Sequence, residues 1–462
     1  MKTNQKLGAA VALAVLLSAS GASAATICVS PAGGACQTTI QGGVNLAAPG
    51  DKIAVGPGTY YENVNVPVGK DGIQITGASK VATILDPSPY TPGGLANSSY
   101  GIIIQSRNVQ VKNMMIRNGL QGGVASVAPG TIIQGLNVTG ADSFGIYIAS
   151  PTAYNAQILS NEVHGVVFGI VSVAPGTIIK TNVVTDSQAG VYVIADGVQV
   201  TANRISNVQI GVLMDGNGNQ ATLNDVKYSL QYGVLVAGAA PTVQRNKVFG
   251  VPQGYGTLAV CTVSSDGACF GGSLANNIIT DTAFFGVLAL TEGPGLSVAG
   301  NVTNRTGDGL LVDGDGATVQ LNRVADVGLA NTANCFYLIG NGNTASKNTA
   351  SRCAAAGFYV NGNFNYLNSN LALNTFENGY TVDGDDGGGG FFSGNTLALN
   401  KTQFDAGQGF AVINGAIATS LTGNQASKNR LDFCDDGTGT VAVGNVFGTS
   451  AATPGMDCVI AH

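Results

Sequence analysis

The chain of 462 residues has no tryptophan, two histidines and few charged side chains, 10% counting Asp, Glu, Lys and Arg together. The histidines, His164 and His462, are too few for imidazole clusters, which excludes most His-based acid–base and transition-metal chemistry. His164, beside Gly165, reads as a turn residue. No Cys-x-x-Cys occurs among the eight cysteines, so a structural zinc site is a poor reading of them. No run of basic residues interrupts a net charge of −6, which leaves nucleic acid without an electrostatic footprint. Past the first 24 residues no apolar stretch reaches the roughly 18 residues of a membrane span.

What is abundant is glycine, 67 residues, within a chain that is 45% apolar. Glycine at roughly twice its usual share with sparse charge suggests tight turns around a narrow apolar core. The glycines keep a beat of about 22 residues. GVYVIADGVQVTANRISNVQI begins at Gly190, and the pattern restarts at Gly211 with GVLMDGNGNQATLNDV. Each copy opens with Gly and an apolar, any, apolar triplet, passes Asp-Gly or Asn-Gly, and closes on Asn, one residue, then an apolar one. The closing Asn recurs at Asn113, Asn137, Asn161, Asn182, Asn203, Asn224, Asn246, Asn277, Asn301, Asn322, Asn348, Asn370, Asn395, Asn424 and Asn445.

Alternation with period two, as in GVYV and VQV, makes these segments strands, and a turn signal after each excludes long helices. Some three short strands per repeat cannot bury a face alone, so equivalent positions of successive repeats must stack. The expectation is one all-β domain, a parallel β-solenoid of about 15 coils, with the asparagines bonded coil to coil in a ladder.

The repeat resembles the PbH1-type coil of the right-handed parallel β-helix, pectin lyase-like superfamily. The segment TIQGGVNLAAPGDKIAVGPGTYYENV, Thr39 to Val64, is similar to that superfamily's opening, an amphipathic cap followed by a GD-x-I-x-V-x-PGTY-x-E strand pair. The resemblance spans roughly residues 38 to 450 and implies a right-handed solenoid with an N-terminal capping helix. It says little about chemistry, because the superfamily includes lyases, hydrolases, epimerases, esterases and non-catalytic members.

Residues 1–24 combine Lys2 and Lys6, an apolar run and Ala22-Ser23-Ala24, the marks of a secretory leader with an A-x-A cleavage site. Residues 25–52 form an N-terminal segment and cap, 53–447 the solenoid and 448–462 a tail. Eight cysteines suit a secreted, periplasmic or surface setting. Position along the rod pairs Cys28 with Cys36, Cys261 with Cys269 and Cys434 with Cys458, and leaves Cys335 with Cys353.

Candidate chemistry falls on two surface files. The outward residue of the opening triplet gives Tyr147, Tyr192, Tyr337 and Tyr359 among aliphatic neighbours, a stripe able to receive sugar rings. The turn after the triplet carries acids. Turn chemistry needs one at most, so the surplus at Asp313 with Asp315, and at Asp383 with Asp385 and Asp386, points to catalysis. Asp383 and Asp436, two coils apart, fall within a carboxyl spacing used in glycoside hydrolysis. Alternatively the acids hold Ca²⁺ while Arg323, Lys347 or Arg352 takes a proton from a uronate. Arg204, Asp225 and Lys247 read as a surface ion-pair ladder. G-D-D at Gly384 to Asp386 is faintly similar to the polygalacturonate-cleaving hydrolases, but their N-T-D, G-H-G and R-I-K companions are missing. The expected protein is an exported monomer that binds, and cleaves as a lyase or hydrolase, an acidic extracellular or envelope polysaccharide. Its rival is a non-catalytic, adhesin-like or structural β-helix.

Overall fold

The computed structural model describes residues 24–88, 100–261, 271–328, 333–384 and 390–451, with the backbone alone for 258–261 and 450–451. Every paired strand runs parallel to its neighbour in a coil above or below. One sheet stacks 18 short strands from Thr26–Val29 to Val441–Val443. The other ladder, of 29 strands, wraps a corner and forms the second and third faces. Strands as long as Arg204–Asp215 cross that corner and join the two faces. At the bend one residue per coil, such as Asp186 (φ 56°) or Asn207 (φ 56°), takes left-handed backbone.

Eighteen rungs replace the expected 15, because the count rested on asparagine and began at Asn113, past the three rungs Thr26–Val29, Lys52–Val55 and Gln74–Gly77. The ladder runs through Asn161, Asn182, Asn203, Asn224, Asn246, Asn277, Asn301, Asn322, Asn348, Asn370, Asn400, Asn424 and Asn445. Three expected members stand elsewhere. At the N-terminal end Leu136 occupies the position, donating its main-chain N–H to Asn161 at 2.9 Å, so Asn137 is one residue out of file. Asn113 sits in left-handed backbone at φ 54° beside the buried Met114. Asn395 belongs to a second file with Asn343 and Asn365, and Asn400 holds the rung assigned to it. His164 ends the strand Glu162–His164 instead of forming a turn, and its Nδ1 lies 3.0 Å from Thr185 Oγ1 on the next coil.

Between its two ends each ladder amide is fully used. Asn224 Oδ1 accepts from both the main-chain N–H and the Nδ2 of Asn203, at 3.0 Å each, while Asn203 Nδ2 also donates to Ile179 O at 2.9 Å. The opening glycines follow from coil spacing. A Cβ on Gly211 would sit 2.3 Å from the carbonyl oxygen of Gly233 and 2.4 Å from Val226 Cγ1. Between these files the interior is aliphatic, with Ile133, Ile158, Ile179, Val200, Ala221 and Val243 fully buried one above another. Toward the C-terminus it becomes aromatic: Phe336, Phe358, Tyr380 and Phe410 stack at 4.6, 4.8 and 4.7 Å between centroids.

Helix α1, Ile40–Leu46, begins at Thr39, whose side chain accepts from Gly42 N–H at 3.0 Å. Glu62 accepts from the N–H groups of Ile40 and Gln41 at 2.7 and 2.9 Å, an acid at the positive helix end. The helix buries Ile40 and Val44 and lies on Val29 and Ile53 of the first two rungs. Cys28 is bonded to Cys36, and Cys335 to Cys353. Cys434 is disulfide-bonded, but its expected partner Cys458, and Cys269 of the remaining pair, lie outside the described residues. The expected ion-pair ladder is also replaced. Asp225 pairs with Lys227 of its own strand at 3.2 Å, and the true ladder stands on the corner, Arg305 on Asp281 and Arg352 on Asp326.

Removing one ladder amide strands its neighbours' donors inside the rod. Asn224→Ala should cost about 2 to 4 kcal/mol, read as a lower midpoint in urea unfolding, whereas Asn137→Ala, out of file, should cost much less. Two buried carboxyls give opposite pH dependences. Burial pushes Asp405 up to about 6, although Thr402 and the Thr375 N–H donate to it. Its contribution to stability is complete below the ordinary carboxylate range near 4 and is lost as pH rises through 6. At Asp86 burial acts upward, but hydrogen bonds from Ser88, Arg117 and Asn118 outweigh it and hold the group at about 2. Its contribution is complete above pH ~4 and is lost as pH falls toward 2. Melting curves should show Asp405→Asn gaining on the parent from pH 4 to 7, and Asp86→Asn losing its deficit from pH 5 to 2.

Candidate functional site

The third face carries the most distinctive surface. Its central outward file runs in register through Tyr147, Val171, Tyr192, Leu213, Leu235, Leu288, Leu311, Tyr337, Tyr359 and Thr381. The four tyrosines expected to bind sugar therefore share one file, in two pairs separated by aliphatic residues. A second file beside it, missed in the sequence because it precedes the repeat glycine, holds Tyr100, Phe144, Phe168, Tyr232, Tyr255 and Phe285. Rings of the two files touch: Phe144 and Tyr147 are 4.7 Å apart, Phe168 and Tyr192 6.0 Å, Phe285 and Tyr337 5.8 Å. The sequence signal for the second file was the aromatic residue directly before Gly145, Gly169, Gly233, Gly256 and Gly286.

Below Phe285 this second file turns acidic, at Asp308. Tyr337 Oη donates to Asp308 Oδ1 at 3.0 Å and accepts from the main-chain N–H of Asn334 at 3.3 Å. One coil on, Tyr359 donates to Asp383. The two tyrosine rings are edge-on at 6.0 Å. Burial, with Asp308 beside it, pushes the Tyr337 hydroxyl up to about 12, and burial with Asp383 pushes Tyr359 up as well. Burial also raises Asp308, with the Tyr337 hydrogen bond working against it. Both tyrosines are therefore neutral donors at ordinary pH, each fixing one carboxylate.

Asp308, Tyr337, Tyr359 and Asp383 sit on four successive coils. At about 4.8 Å per coil the two carboxylates are about 14 Å apart along the axis, beyond the roughly 5 to 9.5 Å between paired glycosidase carboxyls. Asp383 and Asp436 are two coils apart with Ile413 between them.

The other expected site residues are dispersed. Asp313 ends its strand, exposed, three coils from Asp383 in the same file. Asp315 Oδ1 accepts from the main chain and side chain of Asn341 at 2.7 and 3.1 Å, Asn341 serves Asn363 likewise, and Asn363 accepts from Ser393 N–H. This is a second amide ladder at the turns, which gives Asp315 a structural task. Arg323 stands on the second face, between Val302 and Thr349. Lys347 is the left-handed residue before Asn348, and Arg352 is held by Asp326. Asp385 and Asp386 lie outside the described residues. Among the described residues no three His, Cys, Asp or Glu side chains come together as a metal cluster.

A solenoid of parallel strands in register, with a buried amide ladder and one outward aromatic face, is a parallel β-helix. The family model described as a right-handed beta helix region matches residues 58–205. The fold is a right-handed parallel β-helix, the architecture that the resemblance to the pectin lyase-like superfamily implied. No curated protein matches the sequence. Among solved structures it is similar to a PL6 family polysaccharide lyase from Pseudopedobacter saltans, at 11% identity over 69% of this chain and 85% of that one, TM-score 0.47. An alginate lyase from Paenibacillus aligns at 16% identity over 60% of this chain and 95% of that one, TM-score 0.33. A GH87 α-1,3-glucanase from Streptomyces thermodiastaticus aligns at 12% identity over 88% and 65%, TM-score 0.34.

If Tyr337 is what holds Asp308 down against burial, Tyr337→Phe should move the Asp308 midpoint upward in a carboxyl-carbon NMR titration, because a hydrogen bond to the charged form is lost. An unchanged midpoint would separate the pair electrostatically.

Proposed function

We propose that this chain is an exported β-helix that binds extracellular or envelope polysaccharide along its third face, with sugar rings laid on the aromatic files. The observation that carries the reading is the two-file aromatic band, whose rings contact one another across neighbouring coils. Sugar C–H faces pack on such rings while hydroxyls reach flanking polar groups. The leader-like sequence of residues 1–24 and the bonds Cys28–Cys36 and Cys335–Cys353 support export to an oxidising compartment, secreted, periplasmic or at the cell surface. Helix α1, packed on the first two rungs, supports a capped N-terminal end, which suits a monomer.

Cleavage, by β-elimination or hydrolysis, belongs at the acidic end of the band. Asp383 is its centre, with Asp385 and Asp386 next in sequence and Asp308 across the tyrosine pair. The net charge of −6 opposes an acidic glycan, so a uronate polymer would need a cation such as Ca²⁺ to bridge it. The rival reading, a non-catalytic adhesin-like or structural β-helix, is favoured by Asp315, whose carboxylate is spent on a turn ladder, and by the three-coil gap between Asp308 and Asp383.

A panel of neutral and acidic polysaccharides, with and without Ca²⁺, followed by absorbance for unsaturated ends and by a reducing-end assay, tests both. Binding should weaken about tenfold or more in Tyr337→Ala with Tyr359→Ala, for the loss of two ring contacts of about 1 kcal/mol each. Turnover that disappears in Asp383→Asn while binding stays would establish the enzyme. Binding without turnover across the panel would establish the scaffold.

A further inference from the structure

Alongside the aromatic band, the corner between the second and third faces is indented for seven coils. Its outer wall is the file of left-handed residues, Gly140, Gly165, Asp186, Asn207, Tyr228, Gly250 and Asp281, all with φ between 54° and 74°. Two adjoining grooves, of about 550 and about 510 Å³, share Ser187, Gln188 and Asn207 and together run from Gly140 to Asp281. No Lys, Arg or His lines either one. Of the three acids that do, Asp281 is neutralised by Arg305 at 2.6 and 2.9 Å, and Asp186 accepts from Asn207 at 3.1 Å. Gln188 and Gln209, on successive coils of the inner wall, are exposed, and their amides bond to nothing else among the described residues. Tyr228 stands 58% exposed over the groove and is braced edge-on by Phe249 at 5.5 Å.

We infer that this corner groove is a subsite for an uncharged glycan lying parallel to the solenoid axis, one pyranose per coil. The inference rests on the polysaccharide-binding reading and gives it a substrate class. Three features select that ligand. An extended pyranose chain advances per sugar by roughly what the solenoid advances per coil, about 4.8 Å, so successive sugars stay in step with successive coils. Free primary amides on successive coils suit vicinal hydroxyls, to which an amide both donates and accepts. A polyanion would meet Asp142 and Asp186 with no Lys, Arg or His in the lining, the nearby Arg305 being already held by Asp281, and like charges brought together in a groove repel. Seven coils cover about 29 Å, room for about six sugars.

Isothermal titration of the full chain with neutral hexasaccharides (β-1,4-, β-1,3- and α-1,3-linked glucose, β-1,4-linked xylose and mannose) and with hexagalacturonate and hexaguluronate tests this. At least one neutral hexamer should bind, with affinity rising from dimer to about the hexamer and then levelling. The uronates should bind at least tenfold more weakly at low salt. Gln188→Ala with Gln209→Ala, both exposed and checked for an unchanged melting temperature, should weaken the neutral ligand about tenfold, the loss of roughly two hydrogen bonds. Uronates binding as well as neutral sugars would overturn the substrate class. Neutral binding abolished by Tyr337→Ala with Tyr359→Ala but untouched by the glutamine pair would overturn the groove and leave the third face as the binding surface. Silence from every hexamer would overturn the groove, while polymers bound in the broader panel would still uphold the polysaccharide reading.

Discussion

The structure depends on a hydrogen-bonding constraint: a buried amide must find partners above and below, and a ladder of asparagines is how thirteen coils of this rod supply them. Because between the ends of the ladder each Oδ1 accepts two donors from one neighbouring coil and each Nδ2 donates twice, a coil that slipped by one residue there would lose four bonds and turn its strand inside out. Register fixed at one turn fixes it at all three faces. The stacked aliphatic and aromatic interior follows from that register and adds the hydrophobic term.

The same constraint writes the surface in files. Residues equivalent in the repeat become neighbours about 4.8 Å apart, which places Tyr337 on Tyr359, Arg305 on Asp281 and Gln188 beside Gln209. Function on such a rod is extended by construction, and a linear polymer running with the axis meets the same chemistry at each step. The Tyr–Asp pairs at Asp308 and Asp383 end the aromatic band with two fixed carboxylates, and their separation is what divides a binding surface from a two-carboxylate catalyst.

Much of this was legible in the sequence, for one reason: the period is near-constant between Asn161 and Asn370. Fold class, the third-face tyrosine file and the pair Cys335–Cys353 follow from counting along it, whereas helix α1 was legible from the resemblance carried by Thr39 to Val64 and Cys28–Cys36 from nearness in sequence. Counting failed where the pattern is degenerate. Asn113 and Asn137 lie one residue from the ladder position that Met114 and Leu136 fill, and Asn395 keeps the beat only because the coil before it is long. The sites of greatest interest were hidden for another reason. Asp308 looks like half of another Asp-Gly turn, and only the stacking of Tyr337 above it shows a paired carboxylate. Asp281 with Arg305 is 24 residues apart in sequence and adjacent in space.

Like residues standing over like is the central claim, and cysteine trapping measures it directly. Gln199 and Gln220 are register partners on the exposed first sheet, while Thr222 lies two residues further along. With the native disulfides intact, Gln199→Cys with Gln220→Cys should close a disulfide readily on mild oxidation, since paired positions fall within the Cα separations that a disulfide spans. Gln199→Cys with Thr222→Cys should remain open. Closure of the second pair in preference to the first would contradict the register, and with it every file of residues on which the binding surfaces are built.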